Sequence, residues 1–163
     1  MPADSLSSPS ARTEAVPGEV EHVVLALLSV AGATAACATH GDFAMVAALQ
    51  AYYAVVAAEV TPAAGQVVKV LGDGVLVAFP IVHAAAAVAA LRTGQERATA
   101  HWQAFDARCI VQVRATAGAV LRARLGPPGA ERDDVYGATL NALFKLPPED
   151  FRVAPALATR LNA

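Results

Sequence analysis

Two residues in an almost uncharged half of the chain could do chemistry. Between His22 and Leu91 the only Lys, Arg, Asp or Glu are Asp42, Glu59, Lys69 and Asp73, and the last two stand close together around Gly72-Asp73-Gly74. A carboxylate at a tight, glycine-flanked tip can bind a hard cation because nothing crowds its oxygens, and that cation can hold phosphates. Lys69 would then meet a base or a phosphate as a point charge. The plainer alternative is that aspartate suits a turn and lysine protects a strand edge. The histidines do not cluster: His22 and His40 border loops, and His83 and His101 fall at opposite ends of one expected helix. They read as ordinary polar residues rather than metal ligands. Cys37 and Cys109, neither in a CxxC pair, give no disulfide framework and no zinc spacing. A reducing cytoplasm is the expected compartment.

The hairpin needs strands to carry it. Gln66 to Leu71 and Val75 to Phe79 are β-rich runs on either side of the Gly-Asp-Gly tip, where glycine accepts the positive φ that short turns demand. Val23 to Val30, VVLALLSV, is unalternating and apolar, the pattern of a strand covered on both faces, and Gly32 breaks it. Asp42 is placed to cap a long helix from Phe43 that Pro62 and Gly65 end. That helix has little polar face, so it is either wrapped by its own domain or pressed against a second subunit. A second helix is expected from His83 to about Ala104, with Gly94 as a point of interruption. Cys109 to Ala117 and Val120 to Leu125 read as strands, Tyr136 to Leu146 as a third helix, Phe151 to Val153 as an edge strand and Pro155 to Leu161 as a short final helix. The order βαββαββα with a terminal βα predicts an α+β, ferredoxin-like sandwich: an antiparallel or mixed sheet with helices on one side.

Composition bounds the partners. The chain has 163 residues, the length of one domain, with residues 1–21 read as a loose arm and 22–163 as the folded unit. The net charge of -2, from 12 basic and 14 acidic groups, supplies no global field for nucleic acid or an anionic membrane. The apolar stretch from Phe43 to Ala58 would rise only about 24 Å as a helix, so no membrane span is expected.

These segments resemble a family. Val67 to Phe79, VVKVLGDGVLVAF, is similar to the central hairpin of the class III nucleotidyl cyclases, the adenylate and guanylate cyclase catalytic domains, in which a lysine precedes a metal-binding aspartate in a GDG turn. Val23 to Thr34 resembles that family's first strand and phosphate loop, with Gly32 in the loop. Asp133 to Leu146, DDVYGATLNALFKL, resembles its late segment ending in VNxxxRL. The matches run in the same order over roughly Val23 to Leu161.

The resemblance implies two subunits paired head to tail, each active site lying across their interface, with Mg or Mn accompanying any bound nucleotide. It assigns Asp73 as a metal ligand but puts Ser29 where the other metal aspartate belongs. A neutral hydroxyl does not replace a bridging carboxylate without large loss. Ala33 also stands where the phosphate loop has a phenylalanine. On the other half-site the resemblance assigns Lys69 and Asp134 to the purine, in the combination associated with adenine, and Asn141 to the ribose. Lys145 occupies the place of the transition-state arginine; it keeps the charge and loses the planar fork. The leading expectation is a degenerate cyclase-like domain that dimerises and binds ATP but turns over little or none alone. The alternatives are the purine-reading half of a heterodimeric adenylate cyclase, an active homodimer, and a non-enzymatic interaction module.

Overall fold

The computed structural model describes residues 17–162. The larger part of the expected N-terminal arm therefore lies outside the described residues, while Gly18 to Glu21 already belong to the first strand. The strands are β1 (Gly18–Ala31), β2 (Gln66–Leu71), β3 (Gly74–Pro80), β4 (Ile110–Leu125), β5 (Arg132–Tyr136) and β6 (Phe151–Val153). The helices are α1 (Ala33–His40), α2 (Asp42–Val60), α3 (Ala84–Phe105), α4 (Ala138–Lys145) and α5 (Pro155–Leu161). The sheet order is β2-β3-β1-β4-β5, every neighbour antiparallel, with β6 added parallel to β4. This is the expected α+β, ferredoxin-like sandwich.

β1 is central because its residues bury on both faces. Val24, Ala26, Leu28 and Val30 enter the main core beneath α2 and α3, built around Trp102, Tyr52 and Leu91. Val23, Leu25 and Leu27 enter a smaller core on the opposite face with Leu76, Val135, Leu140 and Leu143. The last two belong to α4, so the helices are not on one side as expected: α4 covers the far face.

Five further features differ from the sequence reading. Ala33–His40 is a helix that its small, weakly amphipathic side chains do not announce, entered through Gly32 at φ 91. Asp42 is the first residue of α2 rather than its cap; Gly41, at φ 82, holds the cap position with no side-chain hydrogen bond. Residues 110–125 form one strand, not two, because Gly118 leaves room for Thr139 of α4, which a Cβ there would strike. Arg132–Tyr136 is a strand that the sequence reading left unassigned, formed by pairing with β4, so that Tyr136 ends a strand instead of opening a helix. Gly94 does not interrupt α3; it lets Glu59 of α2 approach to 3.5 Å from its would-be Cβ.

The helix α2 together with the turn after it, Asp42–Ala63, is long and apolar enough to cross a membrane by length and composition alone. Its Met45, Tyr52, Val56 and Val60 side is nevertheless buried in the domain core. At the end of α1, Asp106 is buried and accepts hydrogen bonds from the Arg108 backbone N, Nε and Nη2 at 3.0, 2.9 and 2.6 Å. Its Oδ2 also lies 3.1 Å from His40 Nε2. The Arg108 guanidinium, followed by its backbone N–H and His40, holds the Asp106 carboxyl well below the usual range.

Two predictions follow from this packing. In Gly65→Ala the new Cβ would meet the Phe79 ring and lie 2.7 Å from the Val60 carbonyl oxygen, so stability in urea should fall by about 1–3 kcal/mol. The depressed folded-state value of Asp106 contributes stability that is present above the unfolded carboxyl range and lost as pH falls below about 4. Asp106→Asn should therefore be less stable than wild type at neutral pH, and its urea midpoint should decline less on acidification. Parallel declines in the two proteins would remove this account.

Candidate functional site

The tip of the β2–β3 hairpin is placed by register. In the β1–β3 ladder Ser29 pairs with Gly74, which puts the serine directly beside the Asp73 turn. β1 then turns into α1 through Gly32, whose left-handed φ and the Arg108 carbonyl oxygen 2.9 Å from a would-be Cβ both demand glycine. The result is a cavity of about 480 Å³ lined by Ala33, Thr34, Cys37, Ala38, Asp42, Met45 and Asp73. Asp42, read from sequence only as a cap, is thus a second carboxylate on this cavity. It accepts a bond from the Cys37 thiol at 3.4 Å, and this bond, with burial, pushes the thiol's pKa up.

Two consecutive tyrosines of α2 tie this region together. Tyr52 Oη donates to the Leu28 carbonyl at 3.1 Å and Tyr53 Oη to the Gly72 carbonyl at 2.6 Å. One bond holds the strand before Ser29, and the other holds the turn before Asp73. Burial, then the charge of Asp73, pushes both phenols up, so both remain protonated donors. Their adjacency on one helix was the signal the sequence offered; that one is buried and the other half-buried is a property of the fold.

The second group of residues gathers across the sheet. β2 and β5 are the outer strands of the five-strand path, yet Lys69 Nζ donates to Asp134 Oδ2 at 2.7 Å. A bulge between Val67 and Lys69 sets the register that pairs Lys69 with Leu76 on the α4 side of the sheet, and the curl of the sheet brings the two edges together. Asp134 Oδ1 accepts the Val135 backbone N–H at 2.7 Å, which fixes the carboxylate. Both side chains remain partly open, at 32% and 23% exposure, so a ligand can reach them. Asn141 and Lys145 lie one turn apart on α4 and both are exposed. Lys145 makes no ion pair among the described residues. The end of α4 is held from below by Arg114 Nη1 donating to the Leu146 carbonyl at 3.0 Å.

Within one chain Lys69 meets Asp134, and Asn141 and Lys145 share α4. None of Lys69, Asp134, Asn141 and Lys145 lines the cavity at Asp73. The carboxylates that line the Asp73 cavity are Asp73 and Asp42. Among the described residues no three His, Cys, Asp or Glu side chains group to hold a metal, and Ser29, which pairs with Gly74 at the hairpin tip, adds only a neutral hydroxyl, so the donors present do not complete the coordination of a pair of divalent ions.

By sequence, no family model and no curated protein matches the chain. By structure the likeness is extensive. The adenylyl cyclase CyaB from P. aeruginosa superposes with a TM-score of 0.81 at 15% identity, over 90% of this chain and 83% of that one. The guanylyl cyclase Cya2 gives 0.76 at 18% identity, over 89% and 79%. The guanylate cyclase domain of RhGC from Catenaria anguillulae, in complex with GTP, gives 0.73 at 16% identity, over 89% and 85%. The chain therefore has the fold of the adenylyl and guanylyl cyclase catalytic domains, the fold that its hairpin motif led us to expect.

The ion pair and the tyrosine tether are separately measurable. A double-mutant cycle with Lys69→Met and Asp134→Asn should give a coupling of about 1 kcal/mol or less, as expected of a partly exposed pair. Tyr53→Phe should leave the fold intact and raise amide hydrogen exchange at the hairpin tip; unchanged exchange there would show that the Gly72 contact does not restrain it.

Proposed function

We propose that this chain is a degenerate cyclase-like domain that binds ATP at a site shared with a second cyclase-type subunit and does not cyclise it alone. The observation that carries the reading is the contrast between the two groups of residues. The Lys69–Asp134 pair is complete at 2.7 Å, while Ser29, paired with Gly74 next to Asp73 in the ladder, carries a hydroxyl where the resemblance puts the other metal carboxylate.

The chemistry of the intact group favours adenine. The Lys69 ammonium donates to a ring nitrogen and the Asp134 carboxylate accepts from an exocyclic amine, so a guanine carbonyl at the same place would face a carboxylate. Asn141 supplies an amide to the ribose, and the exposed Lys145 supplies a positive charge to phosphate without the bidentate geometry of arginine. Each of these lies away from the Asp73 cavity, which is why a second subunit is part of the reading. Mg or Mn would accompany the triphosphate as its counter-ion, with the cavity carboxylates Asp73 and Asp42 available to hold it. Both cysteines are free thiols, which supports a cytoplasmic setting.

A second reading has its own support. An intact purine-reading group with a defective metal group is what one half of a heterodimeric adenylate cyclase requires, its partner bringing both carboxylates.

On the first reading, ATP raises the melting temperature of the purified protein, since a ligand that binds only the native state must stabilise it. Lys69→Met and Asp134→Asn should each abolish that shift, and no cyclic AMP should form with Mg or Mn. Cyclic AMP made by the chain alone would overturn the proposal. Activity that arises only on mixing with a subunit carrying both metal aspartates selects the second reading. Ser29→Asp with Lys145→Arg should raise turnover far more together than either does singly.

A further inference from the structure

Three arginines among the described residues are half-buried, and a charge withdrawn from water has to find a partner. Arg122 finds Glu21 and Arg152 finds Glu149. Arg114 finds no carboxylate among the described residues. Its Nη1 donates to the Leu146 carbonyl at 3.0 Å, and its Nε is buried with no hydrogen-bond partner. A buried donor on a charged group is costly to leave unpaired.

Arg108 shows what that edge of a guanidinium takes. Its Nε and Nη2 grip the two oxygens of Asp106 at 2.9 and 2.6 Å, a geometry that suits carboxylate and phosphate alike. On Arg114 neither of those nitrogens has a partner among the described residues, while the bond from Nη1 to the end of α4 holds the group in place. The surroundings add positive charge instead of offsetting it. Arg114 pairs with Leu27 on the smaller-core face of the sheet, and Arg152 is its register partner in β6. Glu149 is already engaged by Arg152. Lys145, one residue before Leu146, is exposed and outside every ion pair of the described residues. Its Cα lies about 3.8 Å from that of Leu146. Two cations without a counter-charge therefore meet at the end of α4, on the face of the sheet to which Lys69 also belongs.

We propose that the Nε–Nη2 edge of Arg114 binds phosphate oxygens of the nucleotide, supplying from β4 the planar fork that Lys145 lacks on α4. The inference rests on the ATP-binding reading above and adds to it a residue that the resemblance does not assign. The ligand class is a polyphosphate, whose neighbouring anionic oxygens can meet a guanidinium fork and an ammonium together. Nη2 is the open corner of the fork and Nε the covered one, so an oxygen that arrives through Nη2 also relieves the unpaired Nε.

Calorimetric titration of the full chain with tripolyphosphate, ATP and adenosine, all in EDTA, tests this. Arg114→Met should weaken tripolyphosphate and ATP by about tenfold or more and leave adenosine unchanged. Arg97→Met, which removes a mostly exposed cation on α3, should change none of the three. Arg114→Lys keeps the charge and guards against a folding defect in the methionine variant. With wild-type near-UV circular dichroism, it should bind tripolyphosphate several-fold more weakly, because a point charge lacks the fork. The proposal is overturned if tripolyphosphate does not bind the wild type, binds Arg114→Lys equally well, or is lost equally in Arg97→Met. A parallel loss of adenosine in Arg114→Met also overturns it, since the arginine would then only prop α4. Tripolyphosphate binding through Arg114 with neither ATP nor adenosine bound would sink the nucleotide reading and leave the anion site standing.

Discussion

Everything at the candidate site depends on the register between β1 and β3. A strand buried on both faces cannot slip by one residue without moving every side chain to the opposite face. Here Val24, Ala26 and Leu28 enter one core, while Val23, Leu25 and Leu27 enter the other. That double burial fixes Ser29 against Gly74 and so fixes what stands beside Asp73. The chemistry of the tip is thus held by hydrophobic packing several residues away from it.

α2 converts that register into a rigid corner. Its inner side fills the core beneath the sheet, and its two tyrosines hydrogen-bond to the backbone of β1 and of the hairpin tip. A single helix therefore couples core stability to the geometry around Asp73. The Asp106, Arg108 and His40 contacts do the same for α1, joining its end to the loop before β4. Gly32 turns against that same loop. The cavity at Asp73 is consequently walled by elements that are each anchored elsewhere, which is the condition for a preorganised site.

Electrostatics then separates the two halves of the site. Two divalent ions close together need bridging negative charge; Ser29 brings only a hydroxyl to the hairpin tip, and of the two carboxylates on the cavity, Asp73 and Asp42, the second is engaged by the Cys37 thiol. On the proposed reading a purine needs only a donor and an acceptor at fixed separation, which the Lys69–Asp134 pair offers without an ion. A hydroxyl in place of a carboxylate at Ser29 would then be severe for catalysis and mild for recognition. This asymmetry is the physical basis for reading the chain as a binding partner rather than a complete enzyme.

Much of this was legible in the residue order. The Gly-Asp-Gly tip, the flanking β-rich runs and the unalternating β1 segment determined the hairpin, the central strand and the ferredoxin-like order, because turn chemistry and burial pattern are local properties. That Ser29 falls where a metal aspartate is expected came from the resemblance and not from any local property. What sequence could not show depends on contacts between distant segments. Arg132–Tyr136 becomes a strand only because β4 offers it an edge. Residues 110–125 stay one strand because Gly118 makes room for Thr139. α4 crosses to the far face because Leu140 and Leu143 find an apolar surface there. Asp42 reaches the Asp73 cavity only through the α1–α2 corner. Lys69 meets Asp134 only because the sheet curls its outer strands together, a contact between residues 65 positions apart that no local pattern encodes.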